Sequence, residues 1–247
     1  MLGDKKKSTI VPMKYEKILN NKYLNINSYK KFDDYERLNK YIKVLLRKNP
    51  QSILDIGCSV GQLIYLLKKE GYKGSYLGID KDKNSINFAK KQKIFSSEEI
   101  NFKVGDLFQF KSNRKFDLIT LWAIMGYCDD YKKIYKKYIK YIKKGSSISI
   151  FGIFNRSPYD TIFRCKDNKQ AKKMNPGFNS FSLQSHNNYL KKLNMIVSFD
   201  QFKIKRSILR NKKKPFNAYT LSLKNGKVTV NDLNVKFDYY HILATKK

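Results

Sequence analysis

Two carboxylates and two glycines at fixed spacing carry the clearest chemical signal in this chain. Asp55 lies in the run Gln51-Ser-Ile-Leu-Asp-Ile-Gly-Cys-Ser-Val-Gly-Gln-Leu63, where an apolar strand turns through Gly57 and Gly61 into a helical pattern. Glycine has no Cβ and accepts positive φ, so such a turn lets a ligand approach the backbone. The helix behind it offers first-turn N–H groups, which suit a nucleoside-like ligand. A second apolar stretch, Ser75 to Ile79, ends in Asp80, nineteen residues after Gly61. An acidic residue at that distance reaches a ribose hydroxyl pair.

The spacing excludes two commoner nucleotide loops. A dinucleotide turn needs Gly-x-Gly-x-x-Gly, whereas Ser59 holds the inner position here and Leu63 and Ile64 follow Gly61. The NTPase loop Gly-x-x-x-x-Gly-Lys-Ser/Thr occurs nowhere in the chain. Taken with three later segments, the turn resembles motif I of the class I S-adenosylmethionine-dependent methyltransferases, Asp/Glu-x-Gly-x-Gly-x-Gly. Asp55, Gly57, Ser59 and Gly61 occupy its four positions, with serine in place of the middle glycine. The later segments match in order. Tyr76-Leu-Gly-Ile-Asp80 resembles the family's second strand with its ribose-binding acid. Ile100-Asn-Phe-Lys-Val-Gly-Asp106-Leu107 resembles the third strand with its adenine-edge residues. Phe116-Asp-Leu-Ile-Thr-Leu-Trp-Ala123 resembles the fourth, which leads to the active-site mouth. The bland alternative is a doubly wound domain whose two glycines merely permit close packing.

The resemblance implies S-adenosylmethionine as methyl donor and assigns roles. Gly57, Cys58 and Gly61 line its methionine part, and Asp55 holds the turn and the donor's ammonium. Asp80 accepts both ribose hydroxyls, Asp106 accepts the adenine amino group, and the Leu107 N–H meets a ring nitrogen. Ile79, Lys81 and Leu107 sandwich the ring, while Trp122 and Ala123 end the fourth strand beside the sulfonium. Tyr35 or Arg37, on a helix over the cofactor, contacts the methionine carboxylate. Helix or turn capping is the plainer reading of Asp80 and Asp106.

The acceptor side is less well marked. Many small-molecule methyltransferases carry a Leu-Glu-His-like stretch after the fourth strand. Here it reads Ile124-Met-Gly-Tyr127-Cys-Asp-Asp130, without the histidine. Tyr127, His186 and His241 are therefore the candidates for contacting or deprotonating an acceptor, although a lone histidine often serves as a structural donor. Asp129 or Asp130 is read as the cap of a lysine-rich helix. No His, Cys, Asp and Glu stand at metal-ligand spacing, so no metal is expected.

Composition bounds the reading. The chain has 247 residues, 41% of them hydrophobic, enough for one moderately large domain with a core. No run of 18 apolar residues suggests a membrane span, and the N-terminus lacks the apolar stretch of a secretory signal. Three scattered cysteines point to neither a disulfide framework nor a cluster, hence to a reducing cytoplasm. The net charge of +32 favours anionic partners and speeds their encounter. Only seven of the basic residues are arginine, the preferred phosphate and guanine fork. A small-molecule or glycan-like acceptor of anionic character, methylated on oxygen or nitrogen, is the expectation. A nucleic-acid methyltransferase is the alternative, favoured by charge but lacking Asn/Asp-Pro-Pro-Tyr/Phe after the fourth strand. A non-catalytic cofactor-binding subunit is the third reading.

Periodicity supplies the elements that position these residues. Helices are expected at 28–48, 60–70, 83–92, 130–144 and 181–193. Strands are expected at 52–57, 75–80, 100–105, 116–122, 147–154, 195–205 and 235–244, with an Asn225-Gly226 hairpin over 219–230. This alternation predicts an α/β, Rossmann-like, seven-stranded and mostly parallel sheet with helices on both faces. In the resembled fold the last strand is antiparallel and inserts between strands five and six. Residues 1–27 are read as a loose arm and 28–247 as one domain, with substrate-side insertions near 155–179 and 211–234.

Overall fold

The computed structural model describes residues 38–165, 175–176, 178–204, 207–212 and 217–247. The expected arm, and with it Tyr35 and Arg37, lies outside them. The main sheet contains β1 (Ser52–Ile56), β2 (Ser75–Asp80), β3 (Ile100–Val104), β4 (Phe116–Trp122), β5 (Ile142–Asn155), β6 (Met195–Phe202) and β7 (Tyr239–Lys246). Their order is β3-β2-β1-β4-β5-β7-β6, and a two-residue strand, Phe181–Ser182, pairs beside the end of β5. β1 to β5 run parallel, and β7 is antiparallel to both β5 and β6. The seven-stranded α/β expectation, with the last strand inserted antiparallel, is what the chain forms.

Among the described residues five helices cover the sheet: α1 (Leu38–Leu46), α2 (Gln62–Lys69), α3 (Lys83–Lys90), α4 (Tyr131–Tyr138) and α5 (Leu183–Lys192). Central strands buried on both faces need near-continuous apolar runs, and Ser-Ile-Leu-Asp-Ile of β1 is buried throughout. Alternate residues feed opposite cores. Ile53 and Leu118 meet Ile42, Leu45, Ile64, Leu67 and Ile86 from α1, α2 and α3. On the other face Leu54, Ile119, Ile148 and Ile242 meet Ile134, Tyr135 and Leu190 from α4 and α5. The chain leaves β3 at one edge and re-enters as β4 beside β1, so the strand order reverses between β1 and β4. A ligand crevice forms at such a reversal, outside the carboxyl ends of the strands.

Three boundaries among the described residues differ from the periodic reading by four residues or more. The lysine-rich helix stops at Tyr138, turns through Ile139–Tyr141, and β5 starts at Ile142 instead of 147. Ile142 fits a helical stripe, but it pairs with Phe116 ahead of a register shift that next matches Leu118 with Ser147. The last strand starts at Tyr239 instead of 235, because Asn231 Oδ1 accepts the N–H groups of Leu233 and Val235, each at 3.0 Å, and holds that stretch as a loop. In the hairpin, Leu223 faces Gly226, so Lys224 and Asn225 form the two-residue connection. The link from β3 to β4 is no helix, and it leaves a groove of about 770 Å³ beside β2 and β3, lined by Leu77, Phe110 and Arg114 with Asp106 among its walls.

Gly78, in the middle of β2, is needed for space alone. A Cβ there would lie 2.8 Å from Cys58 Sγ and 2.9 Å from Phe102 Cδ1. Gly78→Ala is expected to cost about 1–3 kcal/mol through overpacking of a core that cannot give. Urea unfolding of the variant checks this, and unchanged stability would mean that β2 and the glycine turn are free to separate.

Candidate active site

The β1–α2 turn is wound by three left-handed residues, Gly57 (φ +77), Ser59 (φ +49) and Gly61 (φ +85). The second is a serine, in a region that L side chains enter at a cost. Gly57 and Cys58 both donate their N–H to Ile79 O, at 2.7 and 3.1 Å, and Gly61 N–H donates to Cys58 O at 2.9 Å. These donors are therefore spent inside the protein. Room at Gly61 is absent as well, since a Cβ would meet Phe95 and Phe102 at 3.0 and 3.1 Å. Gly61 is also the N-cap of α2, and no side chain caps that helix.

Asp80 ties the turn to the end of β2. Its Oδ2 accepts the Ser59 N–H at 2.8 Å and its Oδ1 the Asp82 N–H at 2.9 Å. Burial pushes this carboxyl up from its usual range, against the pull of those two donors. Each oxygen keeps a further lone pair, because an ionised carboxylate accepts at about four sites. The capping role and a diol-binding role are thus compatible. Asp82 caps α3 by accepting from Asn84 and Ser85 N–H.

Asp55 behaves differently from the expectation. It is 2% exposed, with one oxygen taken by Tyr76 OH at 2.7 Å and the other by Thr120 Oγ1–H at 2.6 Å. Its carboxylate is turned into the sheet, where both oxygens are engaged in bridging β2 and β4. The Cys58 side chain is also turned inward. Its thiol is buried against Gly78, with burial pushing its pKa well up, so only the backbone of Cys58 faces the turn. Ile79 is 2% exposed, and it lines the groove beside β2 and β3 together with Asp106.

The other donor-side candidates fall near the strand ends. Asp106 Oδ1 accepts the Phe108 N–H at 2.7 Å, which caps the turn after β3. The Leu107 carbonyl accepts from Tyr138 OH at 2.7 Å, and Lys81 is exposed. Trp122 ends β4 half-buried, its Nε1–H donating to Ser149 Oγ at 2.9 Å. Ala123 then takes a left-handed φ of +58, which swings Ile124 over Gly57, where an added Cβ would lie 3.4 Å from Ile124 Cδ1.

Neither histidine stands as a base at this crevice. His186 is fully enclosed on the α4–α5 face, stacked on Tyr131 at 3.9 Å, with Nδ1 2.6 Å from Tyr135 OH and Nε2 without a partner. Burial pushes its pKa down to about 3. His241 lies on the opposite face, 4% exposed, with Nε2 2.9 Å from Ser149 Oγ. Tyr127 remains partly exposed beside Phe178, ring centroids 6.1 Å apart. Asp130 caps α4 through the Lys132 and Lys133 N–H groups, in line with the sequence, and Asp129 pairs with Arg164.

A residue that sequence reasoning missed orders this mouth. Asn179, fully buried, donates its N–H to Gly126 O and its Nδ2 to Cys128 O, and its Oδ1 accepts from Phe163 N–H. It staples the loop after β4 to the 155–179 insertion, and a lone asparagine in a polar stretch carries no periodic signal. Thr120 was legible in principle, since a hydroxyl interrupts an apolar strand. Among the described residues, no three His, Cys, Asp or Glu are grouped to hold a metal, and no helix is long and apolar enough to cross a membrane.

A methyltransferase-domain profile matches residues 48–194, more than half of the chain. The chain belongs to the class I S-adenosylmethionine-dependent methyltransferase family. It is similar to the malonyl-acyl-carrier-protein O-methyltransferase of Priestia megaterium, 27% identical over 138 residues, which are 54% of this chain and 49% of that protein. The chain spans about half the length of the curated relatives it matches. In fold it is similar to the PH0226 protein of Pyrococcus horikoshii, with a TM-score of 0.62 and 15% identity over 96% of this chain and all of that one. It is also similar to the plantazolicin methyltransferase BpumL in complex with S-adenosylhomocysteine, with a TM-score of 0.55, 18% identity, and 94% and 90% of the two chains covered.

Burial raises the Asp55 carboxyl from 3.8 to about 6, partly offset by its two hydroxyl donors. The folded state then holds this proton more tightly than the unfolded state between about pH 4 and 6. The group's contribution to stability is greatest at low pH and falls as the pH rises through about 6. Measured against wild type, Asp55→Asn is expected to improve by up to about 3 kcal/mol from pH 4 to pH 7. Urea unfolding of both proteins across that range checks it. A pH-independent difference would show that Asp55 does not titrate there.

Proposed function

We propose that this chain binds S-adenosylmethionine in the crevice where the strand order reverses and transfers its methyl group to an oxygen or nitrogen of a small-molecule or glycan-like, anionic acceptor. The single observation that carries this is the anchoring of Asp80. Two backbone donors hold its carboxylate at the end of β2, beside the glycine turn, with accepting capacity left over. That donor set fits a ribose diol. Asp106 at the end of β3 has one oxygen on Phe108 N–H and a second for an adenine amino group. The uncapped start of α2 suits the methionine carboxylate.

When bound, S-adenosylmethionine supplies a methyl group on a cationic sulfur, already activated for in-line displacement. The chain's own residues then have to orient donor and acceptor and exclude water. Ile124 over Gly57 and Trp122 at the tip of β4 supply apolar walls for that purpose. Tyr127 is the acceptor-side group left at the mouth once both histidines are withdrawn. The charge of +32 draws anionic acceptors to it.

Titration calorimetry with S-adenosylhomocysteine tests the reading. Wild type should bind, and Asp80→Ala should bind roughly 100-fold more weakly, the worth of two hydrogen bonds to a charged group. Unchanged affinity would discard the ribose role. Ser59→Gly should keep the affinity and gain about 1 kcal/mol in stability, because glycine relieves the left-handed strain. Methyl incorporation into RNA, with a steep salt dependence of retention, would instead favour a nucleic-acid acceptor.

A further inference from the structure

Trp122 is the sole tryptophan of the chain. In the sheet register it stands opposite Phe151 of β5, Phe151 opposite His241 of β7, and His241 opposite Asp200 of β6, so one row crosses four strands. Ser149 lies two residues before Phe151, on the same face. An indole N–H can only donate, and it donates to Ser149 Oγ at 2.9 Å. Ser149 Oγ lies a further 2.9 Å from His241 Nε2. Ser149 Oγ has one hydrogen and two lone pairs, so it accepts from the indole and still pairs with Nε2 in either tautomer of the ring. Burial pushes the His241 pKa down to about 4, with Asp200 of β6 pulling it up and Lys40 of α1 pushing it further down.

The imidazole is itself clamped. The Tyr41 ring of α1 lies over it with centroids 4.5 Å apart, and Tyr41 OH donates to Asp200 Oδ2 at 2.7 Å. Lys40 Nζ reaches the same oxygen at 2.8 Å. Ser149 and His241 are 0% and 4% exposed, so neither touches a ligand. Trp122 is half-buried at the crevice end of the relay.

We propose that His241 is a positioning residue which, through Ser149, fixes the plane of the Trp122 indole as a rigid wall at the methyl-bearing end of the donor crevice. The proposal rests on the donor site proposed for this chain. Hydrogen-bond chains of this kind strengthen one another in a low-dielectric interior. A wall already held in place loses no rotamer freedom when the donor binds, and that lowers the cost of binding.

With one tryptophan, emission reports on this site alone. Emission anisotropy and S-adenosylhomocysteine affinity are compared for wild type, His241→Phe, His241→Gln and Ser149→Ala. His241→Phe and Ser149→Ala should lower the anisotropy of the unliganded protein and weaken binding about fivefold, the worth of one hydrogen bond. His241→Gln, whose amide both donates and accepts and so pairs with the Ser149 hydroxyl in either sense, should return both values toward wild type. A folded His241→Phe with wild-type anisotropy and affinity overturns the proposal, as does a His241→Gln that matches His241→Phe. Should His241→Phe fail to fold, Ser149→Ala decides on the same two measurements. Wild type that binds no S-adenosylhomocysteine by calorimetry removes the donor site. The unliganded anisotropy still decides whether the relay orders the indole.

Discussion

The joint between the β1–α2 turn and the end of β2 is the constraint on which the rest of this structure depends. Ile79 O accepts two consecutive N–H groups from Gly57 and Cys58, and Asp80 accepts a third from Ser59. Those bonds extend the parallel ladder past the last paired residues and set the left-handed winding of the turn. They also explain why the turn needs glycines: Gly57 meets a backbone conformation, Gly61 meets conformation and space at once, and Ser59 accepts strain in exchange for a bond to a carboxylate. A crevice built this way presents side-chain oxygens and a helix end, because its turn N–H groups are already spent.

Behind that joint sits a buried polar layer. Asp55, Tyr76 and Thr120 close a three-residue network across β1, β2 and β4, which a fully apolar sheet would not need. Removing one member of such a network leaves the others desolvated and unpaired, a cost larger than the bond itself contributes. The network makes the spacing of the two strands flanking β1 specific at the level where the crevice opens. On the far side of the sheet, His186 among Tyr131, Tyr135, Phe154 and Phe181 is a core group held neutral by burial.

The mouth is ordered from two directions that are distant in sequence. Asn179 ties the loop after β4 to the insertion that follows β5, and Asp129 pairs with Arg164 of the same insertion. From the other side α1 is latched to β6 through Tyr41, Lys40 and Asp200. Between them stand β4, β5 and β7, linked through the hydrogen bonds of Trp122, Ser149 and His241.

Strand–turn–helix alternation, the motif I spacing and the place of Asp80 at the end of a strand were legible in the sequence because each is a local property: period, glycine placement and a fixed offset along one βαβ unit. The antiparallel insertion of β7 between β5 and β6 came with the family resemblance, the rest of the strand order came from the structure, and the parallel core strands announced themselves as unbroken apolar runs. The end of α4 and the start of β7 were not legible, since a register shift at Phe116 and the Asn231 side chain decided them. The direction in which Asp55 points, the enclosure of His186 and the burial of His241 beside Ser149 were settled only by tertiary structure. A residue's type tells which bonds it is able to make, whereas its partners come from strands 65 to 92 residues away, and only the packed sheet brings them within reach.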